Sequence, residues 1–470
     1  MPRTHPNAGP SKPVTPTSRL MNPWIAFFIT IAVRLVLAMS YDVLERGVTE
    51  PWVFHPPRGF PLGSNSTLAY HTADGERVVA QPLLRFSLIP APLDAGVWRE
   101  VGFLRAHFSE HGIPDYLLSI SPWYVRFLPP FLACRPWPAA WLGLCDGLTA
   151  FFLAGWPSCT PTLLYAGFVF NPFMVLPALY ESIMPLEWFL LAIVVEGCRQ
   201  RRQRPWVFLL ALIASIALGS SFLAVPVMLL YPMGVRCRGV AIGSAAALSL
   251  VVGAYALLYR VYTEDVFQRT AAYIPIDHGT LWYVKMSIFP AFERCLEIAL
   301  VIIPAVITLP TAVAIPPFAV TEVSSSRHTP LVADVKVFMV CFAIAISVMF
   351  RSFLTIPFWC LVVLFMYANR TPAAAALPDI SESDSEKRPV GDFQSVKLDM
   401  FFPIFTFLIT VPAVWGFYLA YGFWEVSNMN WIFFFNMSFL FSCVGYLIIW
   451  MNAVIVDITN RESRAELEGI

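Results

Sequence analysis

The chain has 470 residues, 57% of them hydrophobic and 15% aromatic, with only 13% charged and a formal net charge of zero. A soluble domain carries roughly 25% charged residues, so half that share excludes an ordinary water-facing surface and points to lipid as the solvent. The balanced charge leaves no footprint for nucleic acid, and no phosphate-cradling glycine loop occurs.

Residues 1–20 are rich in Pro, Ser and Thr and carry Arg3, Lys12 and Arg19. They are too polar to pack and are expected to form a disordered tail, held in the cytosol by its basic residues. Residues 21–40 form a long apolar run without a small-residue cleavage site, as expected of an uncleaved signal anchor and first transmembrane helix. Residues 41–116 then fall on the luminal side. There Asn65-Ser66-Thr67 is a usable glycosylation sequon. Within Leu93–Phe108, Trp98, Val101 and Leu104 recur at helical spacing among charges, the pattern of a helix lying on the membrane surface.

Residues 117–368 read as a multi-spanning bundle. Its first part is apolar but interrupted by prolines, among them Pro122, Pro129, Pro157, Pro161, Pro172 and Pro177. Broken helices of this kind are tolerated where they line a cavity or pack on protein. The run Arg199–Arg204 (RQRRQR) should face the cytosol, which requires an odd number of crossings after the luminal loop. Four apolar pieces precede it, so one, around Arg126, is expected to be re-entrant or to lie flat. Short pieces at Trp206–Leu218 and Phe222–Tyr231 lead to a basic turn with Arg236 and Arg238. Spans over Ala241–Leu258 and Ile298–Ala319 follow, with two more pieces between Val335 and Tyr367.

Residues 369–398 form an acidic loop containing SESDSEK (Ser381–Lys387), either a solvated linker or a phosphorylation target. Residues 399–456 hold the last two transmembrane helices, and 457–470 a charged cytosolic tail. The second sequon, Asn369-Arg370-Thr371, then lies on the cytosolic side and is expected to be silent. The expected fold is all-α: a polytopic helical membrane protein with about 11–13 membrane segments, some broken or re-entrant, and both termini in the cytosol.

Nine cysteines are scattered singly without CxxC or Cys/His spacing, so neither zinc nor a redox centre is expected. Asp146 is a carboxylate in an apolar helix, costly and functional by default; it can bind a neighbouring helix or contact a polar headgroup. Asn171-Pro172 either breaks a helix or places an amide toward a ligand. Glu293 and Glu297 lie one turn apart with Arg294 beside them, an arrangement suited to a buried ion-pair cluster. Asn428 and Asn430 precede the aromatic run Trp431–Phe435 at the luminal end of the last helix. There free N–H groups and the positive end of the helix dipole favour phosphate, and either amide can also cap the helix.

Several stretches resemble the PIG-U family, the many-spanning subunit of the glycosylphosphatidylinositol (GPI) transamidase. Cys145-Asp146-Gly147-Leu148-Thr149-Ala150 is similar to its T-D-A-L-T-A element, and Ser121-Pro122 with Trp123–Phe127 to its T-P-L-x-x-x-x-F segment. Pro92-Leu93, Trp98-Arg99, Gly112 and Pro114 follow its P-L…W-K-R…G-x-S-P-Y order. Phe170-Asn171-Pro172-Phe173 resembles L-N-P-Y, Trp282-Tyr283 its W-Y, Phe350-Arg351-Ser352-Phe353 its F-K-S-Y, and Asn428-x-Asn430 its closing N-x-N-F-F. The shared order runs from about Pro92 to Glu462. The departures are Ser119-Ile120 in place of His-Glu, Ser287 or Glu293 at an acidic position, and a missing S-D around Asn452. They mark a divergent member, or a lineage-specific subunit that occupies the same place in the complex.

The resemblance implies a non-catalytic subunit in the endoplasmic reticulum membrane. It would work beside a cysteine-protease-like catalytic subunit and other transamidase subunits, without a cofactor of its own, and help to hold the GPI lipid. On that resemblance Asn428 and Asn430 would contact the lipid's phosphate or glycan, and Asp146 and Asn171 join them as candidate lipid-contacting residues. The same architecture suits a membrane glycosyltransferase using a dolichol-linked sugar, whose transmembrane fold the PIG-U family itself resembles. That alternative needs an acidic pair close after the first span. The nearest match, Asp74-Gly75-Glu76, lies in a hydrophilic insertion. A transporter would need internal repeats, and none stands out.

Overall fold

The computed structural model describes residues 21–47, 68–71, 77–80, 137–156, 159–179, 182, 184–200, 204–219, 222–238, 249–250, 253, 302–310, 332–350 and 356–369, with 433–434, 437–445, 447–448 and 451 near the end. These residues are mostly helical. They depart from an all-α chain at one place. Strands β1 (Leu68–His71) and β2 (Arg77–Ala80) pair antiparallel, with Leu68 opposite Ala80 and His71 opposite Arg77. The five residues between the strands contain Asp-Gly, a strong hairpin signal. Asp74 and Glu76 themselves lie outside the described residues.

Helix α1 (Pro23–Gly47) starts where Pro23 sets the first helical φ and Asn22 Oδ1 accepts the Trp24 N–H at 3.0 Å. It runs seven residues past Ser40, into the segment expected to be luminal loop. Two of its hydroxyls are satisfied on its own backbone, Thr30 donating to the Ala26 carbonyl and Ser40 to that of Val36. Trp24, Phe28, Val36 and Met39 stay exposed, each by more than half, while the opposite face packs on α2 (Trp137–Ala154). That approach uses glycine. A Cβ on Gly147 would fall 2.8 Å from Ile31 Cγ1 and 3.2 Å from Phe27, and one on Gly143 would sit 3.4 Å from Arg34 Cβ. Trp24 meets Phe151 edge-on at 5.0 Å, so α1 and α2 run antiparallel.

Thr160 caps α3 (Pro161–Leu164), its hydroxyl accepting the Leu163 N–H. The helix widens into a π segment at Tyr165–Val169 and resumes as α4 (Pro172–Leu179), the two halves bent by 42°. Helix α5 (Met184–Gln200) follows, then α6 (Pro205–Ala217), which closes through Gly219 at a φ of 90°. Helices α5 and α6 form a tight hairpin. A Cβ on Gly197 would fall 2.2 Å from Ala211 Cβ and 2.8 Å from the Val207 carbonyl. The far face of α6 leaves Trp206, Leu209, Leu210 and Ile213 exposed.

Helix α7 (Ala224–Arg238) includes Arg236 and Arg238. The expected basic turn after Tyr231 is therefore helical. Helices α8 (Val332–Met349) and α9 (Ile356–Ala368) follow, and Ala305, Phe439, Cys443 and Leu447 also join the core. Trp188 packs against Phe168 and Phe358, and Phe358 against Phe222. This places the aromatic centre of the core between α5, α9 and the π segment. Phe152 stacks on Phe189, and Trp156 meets Phe365 at 4.9 Å, so α2, α5 and α9 run parallel and finish at one end. The segment joining α2 to α5 must therefore bring the chain back to the other end.

Among the described residues, Pro23–Ser40 is long and apolar enough to cross a membrane. The bent pair Pro161–Val169 and Pro172–Leu179 passes the same test taken together. Shorter apolar helices cover Ala140–Ala154, Pro205–Ala217, Lys336–Met349 and Pro357–Ala368. The expected surface helix at Leu93–Phe108, the segment around Arg126, the first of the two helices expected within 399–456 and the cluster Glu293, Arg294 and Glu297 all lie outside the described residues.

Candidate functional site

Arg34 is the only charged residue in the apolar run Met21–Ser40, and its side chain is 1% exposed. A buried cation without partners is untenable in an apolar interior, and Arg34 finds four. Its Nε donates to Asp146 Oδ2 at 2.6 Å, and its Nη1 to the Val169 carbonyl at 2.7 Å. Its Nη2 reaches the carbonyls of Met174 at 3.3 Å and Phe168 at 3.4 Å. The guanidinium carbon also lies 5.8 Å from the centre of the Phe168 ring.

Asp146 is fully buried at the middle of α2. One of its oxygens is taken by Arg34; the other, Oδ1, has no hydrogen-bond partner among the described residues. Thr149 in the same Cys-Asp-Gly-Leu-Thr-Ala element turns its hydroxyl to the Cys145 carbonyl. Asn171 stands at the bend itself. Its Nδ2 donates to the Gly167 carbonyl and its Oδ1 accepts the Phe173 N–H, both at 3.0 Å. It ends the π segment and caps α4 in one residue. Both Asp146 and Asn171 thus make hydrogen bonds to protein at the same bend, through Arg34 and the carbonyls around it.

A second polar cluster closes the end where α2, α5 and α9 finish. The Trp156 indole donates to Glu196 Oε2 at 2.9 Å, Arg199 reaches the same oxygen at 3.1 Å, and the Gln200 amide donates to Oε1. Nearby, Asn369 is buried, and its Nδ2 donates to the Phe365 carbonyl at 2.8 Å. No group of three or more His, Cys, Asp or Glu that could hold a metal comes together among the described residues. Cys145, Cys159, Cys341 and Cys443 are buried among apolar side chains, with no disulfide. Asn428 and Asn430, and the sequon residue Asn65, lie outside the described residues.

Arg34 has no place in the motifs that single out Asp146 and Asn171. The signal that could have found it is elementary: a lone cation in an apolar span needs an anion, and Asp146 is an anion in another. No protein-family model, no curated protein and no solved structure matches the chain.

Proposed function

We propose that this chain is a non-catalytic, multi-spanning subunit of a GPI transamidase in the endoplasmic reticulum membrane, helping to bind and present the GPI lipid to a separate cysteine-protease-like subunit. The observation that carries the proposal is the meeting of two resemblance elements at one polar centre. Asp146 of Cys-Asp-Gly-Leu-Thr-Ala bonds Arg34, and Arg34 bonds the carbonyls on either side of Phe170-Asn171-Pro172-Phe173. Such a centre shapes a broken helix inside an apolar bundle. It spends its charges on protein, which suits a subunit that holds a lipid better than one that moves protons.

The many-spanning reading has its own support. On this reading α2, the bent return and the parallel α5 are three passes between Trp137 and Gln200. That is the odd number needed to bring Arg199–Arg204 to the side of the basic N-terminal tail. Antiparallel α1 starts at that same end, where Trp24 meets Phe151. The exposed stripes of α1 and α6 then face acyl chains.

The test is gentle detergent extraction of the tagged full-length protein from its own cells, with mass spectrometry of what co-purifies. A stoichiometric cysteine-protease-like subunit together with other membrane subunits is the expected result. A chain that purifies alone and transfers sugar from a dolichol-linked donor overturns the proposal in favour of a glycosyltransferase.

A further inference from the structure

The bend between α3 and α4 leaves specific backbone carbonyls without their helical partners, and each can be followed. In a continuous helix the Phe168 carbonyl would bond the N–H four residues on, but that residue is Pro172, which has none. The Val169 carbonyl would take the N–H of Phe173, which donates instead to Asn171 Oδ1. The Gly167 carbonyl would take the N–H of Asn171; it receives the Asn171 side-chain amide. The Phe170 carbonyl also loses its helical donor, since the Met174 N–H bonds the Asn171 carbonyl. Asn171 therefore answers the Gly167 carbonyl, and Arg34 answers those of Phe168 and Val169. The same guanidinium crosses the break to Met174, so a single side chain grips both halves of the bent element.

We infer that Arg34 is a positioning residue: reaching in from the first helix, it clamps open the bend that Asn171-Pro172 creates, with Asp146 as the counter-charge that lets a cation sit there. Lysine could not do this, because one ammonium cannot reproduce a planar fork aimed in three directions. Water does the work at exposed bends but is scarce inside an apolar bundle. The functional consequence rests on the transamidase reading: the bend sets the shape of the wall that meets the lipid, so straightening it impairs anchor attachment.

The competing account is an ordinary buried ion pair, and the two make opposite forecasts. Replacing such a pair by apolar residues of similar volume is often neutral or stabilising. A clamp forecasts a loss, since Phe168 and Val169 are then orphaned. The experiment heats full-length tagged protein, extracted in mild detergent with whatever it binds, and follows the folded fraction by size-exclusion chromatography.

Arg34→Met/Asp146→Leu is expected to melt several degrees below wild type. Adding Pro172→Ala, which returns an N–H to the Phe168 carbonyl, recovers part of that loss. Pro172→Ala in the wild-type background gives no gain, because Arg34 already holds the carbonyl. A double variant as stable as wild type overturns the clamp, and so does a loss that Pro172→Ala leaves unchanged. If the double variant does not fold, Arg34→Lys with and without Pro172→Ala makes the same comparison on a milder lesion.

Attachment of GPI anchors to a reporter tests the consequence. The triple variant, folded and assembled, is expected to attach several-fold less anchor than wild type, and full attachment overturns the positioning role. Absence of a protease-like partner would sink the transamidase reading, while the melting comparisons still decide the clamp.

Discussion

The Trp156 indole donates to the Glu196 carboxylate at 2.9 Å, and this bond ties the end of α2 to the last turn of α5. The Trp156 ring also meets Phe365 of α9 at 4.9 Å, edge to face, so one side chain joins three parallel helices where they finish. The negative ends of three helix dipoles gather there beside a buried carboxylate. Arg199 and the Gln200 amide, both on Glu196, offset that potential.

Glu196 is therefore expected to matter as an acceptor more than as a charge. Glu196→Gln keeps a carbonyl oxygen for the indole and should melt close to wild type. Glu196→Leu strands the buried Trp156 N–H and should cost about 1–3 kcal/mol. In a double-mutant cycle with Trp156→Phe the two losses should fall short of additive by about 1 kcal/mol. Thermal melting of the four proteins in detergent checks this, and strict additivity would mean the bond contributes nothing.

Gly197 sets how closely α5 and α6 approach. A side chain there would collide with Ala211 Cβ at 2.2 Å and with a backbone carbonyl at 2.8 Å, and backbone cannot swing aside as a flexible side chain can. Gly197→Val should separate the hairpin and cost about 1–3 kcal/mol, the usual range for overpacking. Gly253→Ala is the control, because among the described residues nothing lies within 4 Å of a Cβ at that position. Equal melting temperatures for the two variants would show that the hairpin is not held at Gly197.

Asn428 and Asn430 carry the lipid-holding part of the proposal. Changing both to Leu removes the two amides proposed to donate to phosphate and leaves Arg34, Asp146 and Asn171 intact. Anchor attachment should fall severalfold while co-purification with the other subunits persists. Parallel loss of assembly and attachment would assign the two amides to helix capping or subunit packing.

Much of this arrangement was legible in the residues, and the part that was not has a physical cause. Asp146 announces itself because a carboxylate in an apolar helix needs a partner, and Asn171-Pro172 announces a break because proline cannot donate. The helices Pro205–Ala217 and Val332–Met349 fall within a few residues of the apolar runs that predict them. Arg34 escaped because a lone arginine in a first span passes for part of a signal anchor. Its partner is 112 residues away, far beyond any local spacing rule. The continuation of α1 to Gly47 and of α7 to Arg238 was missed for another reason. Hydropathy marks where lipid-like sequence stops, while a helix stops only where its backbone bonds do.

The sequons at Asn65 and Asn369 should behave in opposite ways, for reasons that differ; a third, Asn436-Met437-Ser438, lies inside the last apolar run. Asn369 sits at the end of α9, beside the cluster of Trp156, Glu196 and Arg199, the end assigned to the cytosol. Its side-chain nitrogen, the atom a glycan would need, is buried and donates to the Phe365 carbonyl at 2.8 Å. Asn65 precedes β1 in the segment read as luminal, on the other side of the first span. Endoglycosidase treatment of the wild-type protein should therefore give one gel-mobility shift, abolished by Asn65→Gln and unaffected by Asn369→Gln. Loss of the shift in Asn369→Gln instead would put the end of α9 in the lumen. It would invert the orientation assigned to α2 and α5 and move the basic run Arg199–Arg204 to the wrong side of the membrane for its charge.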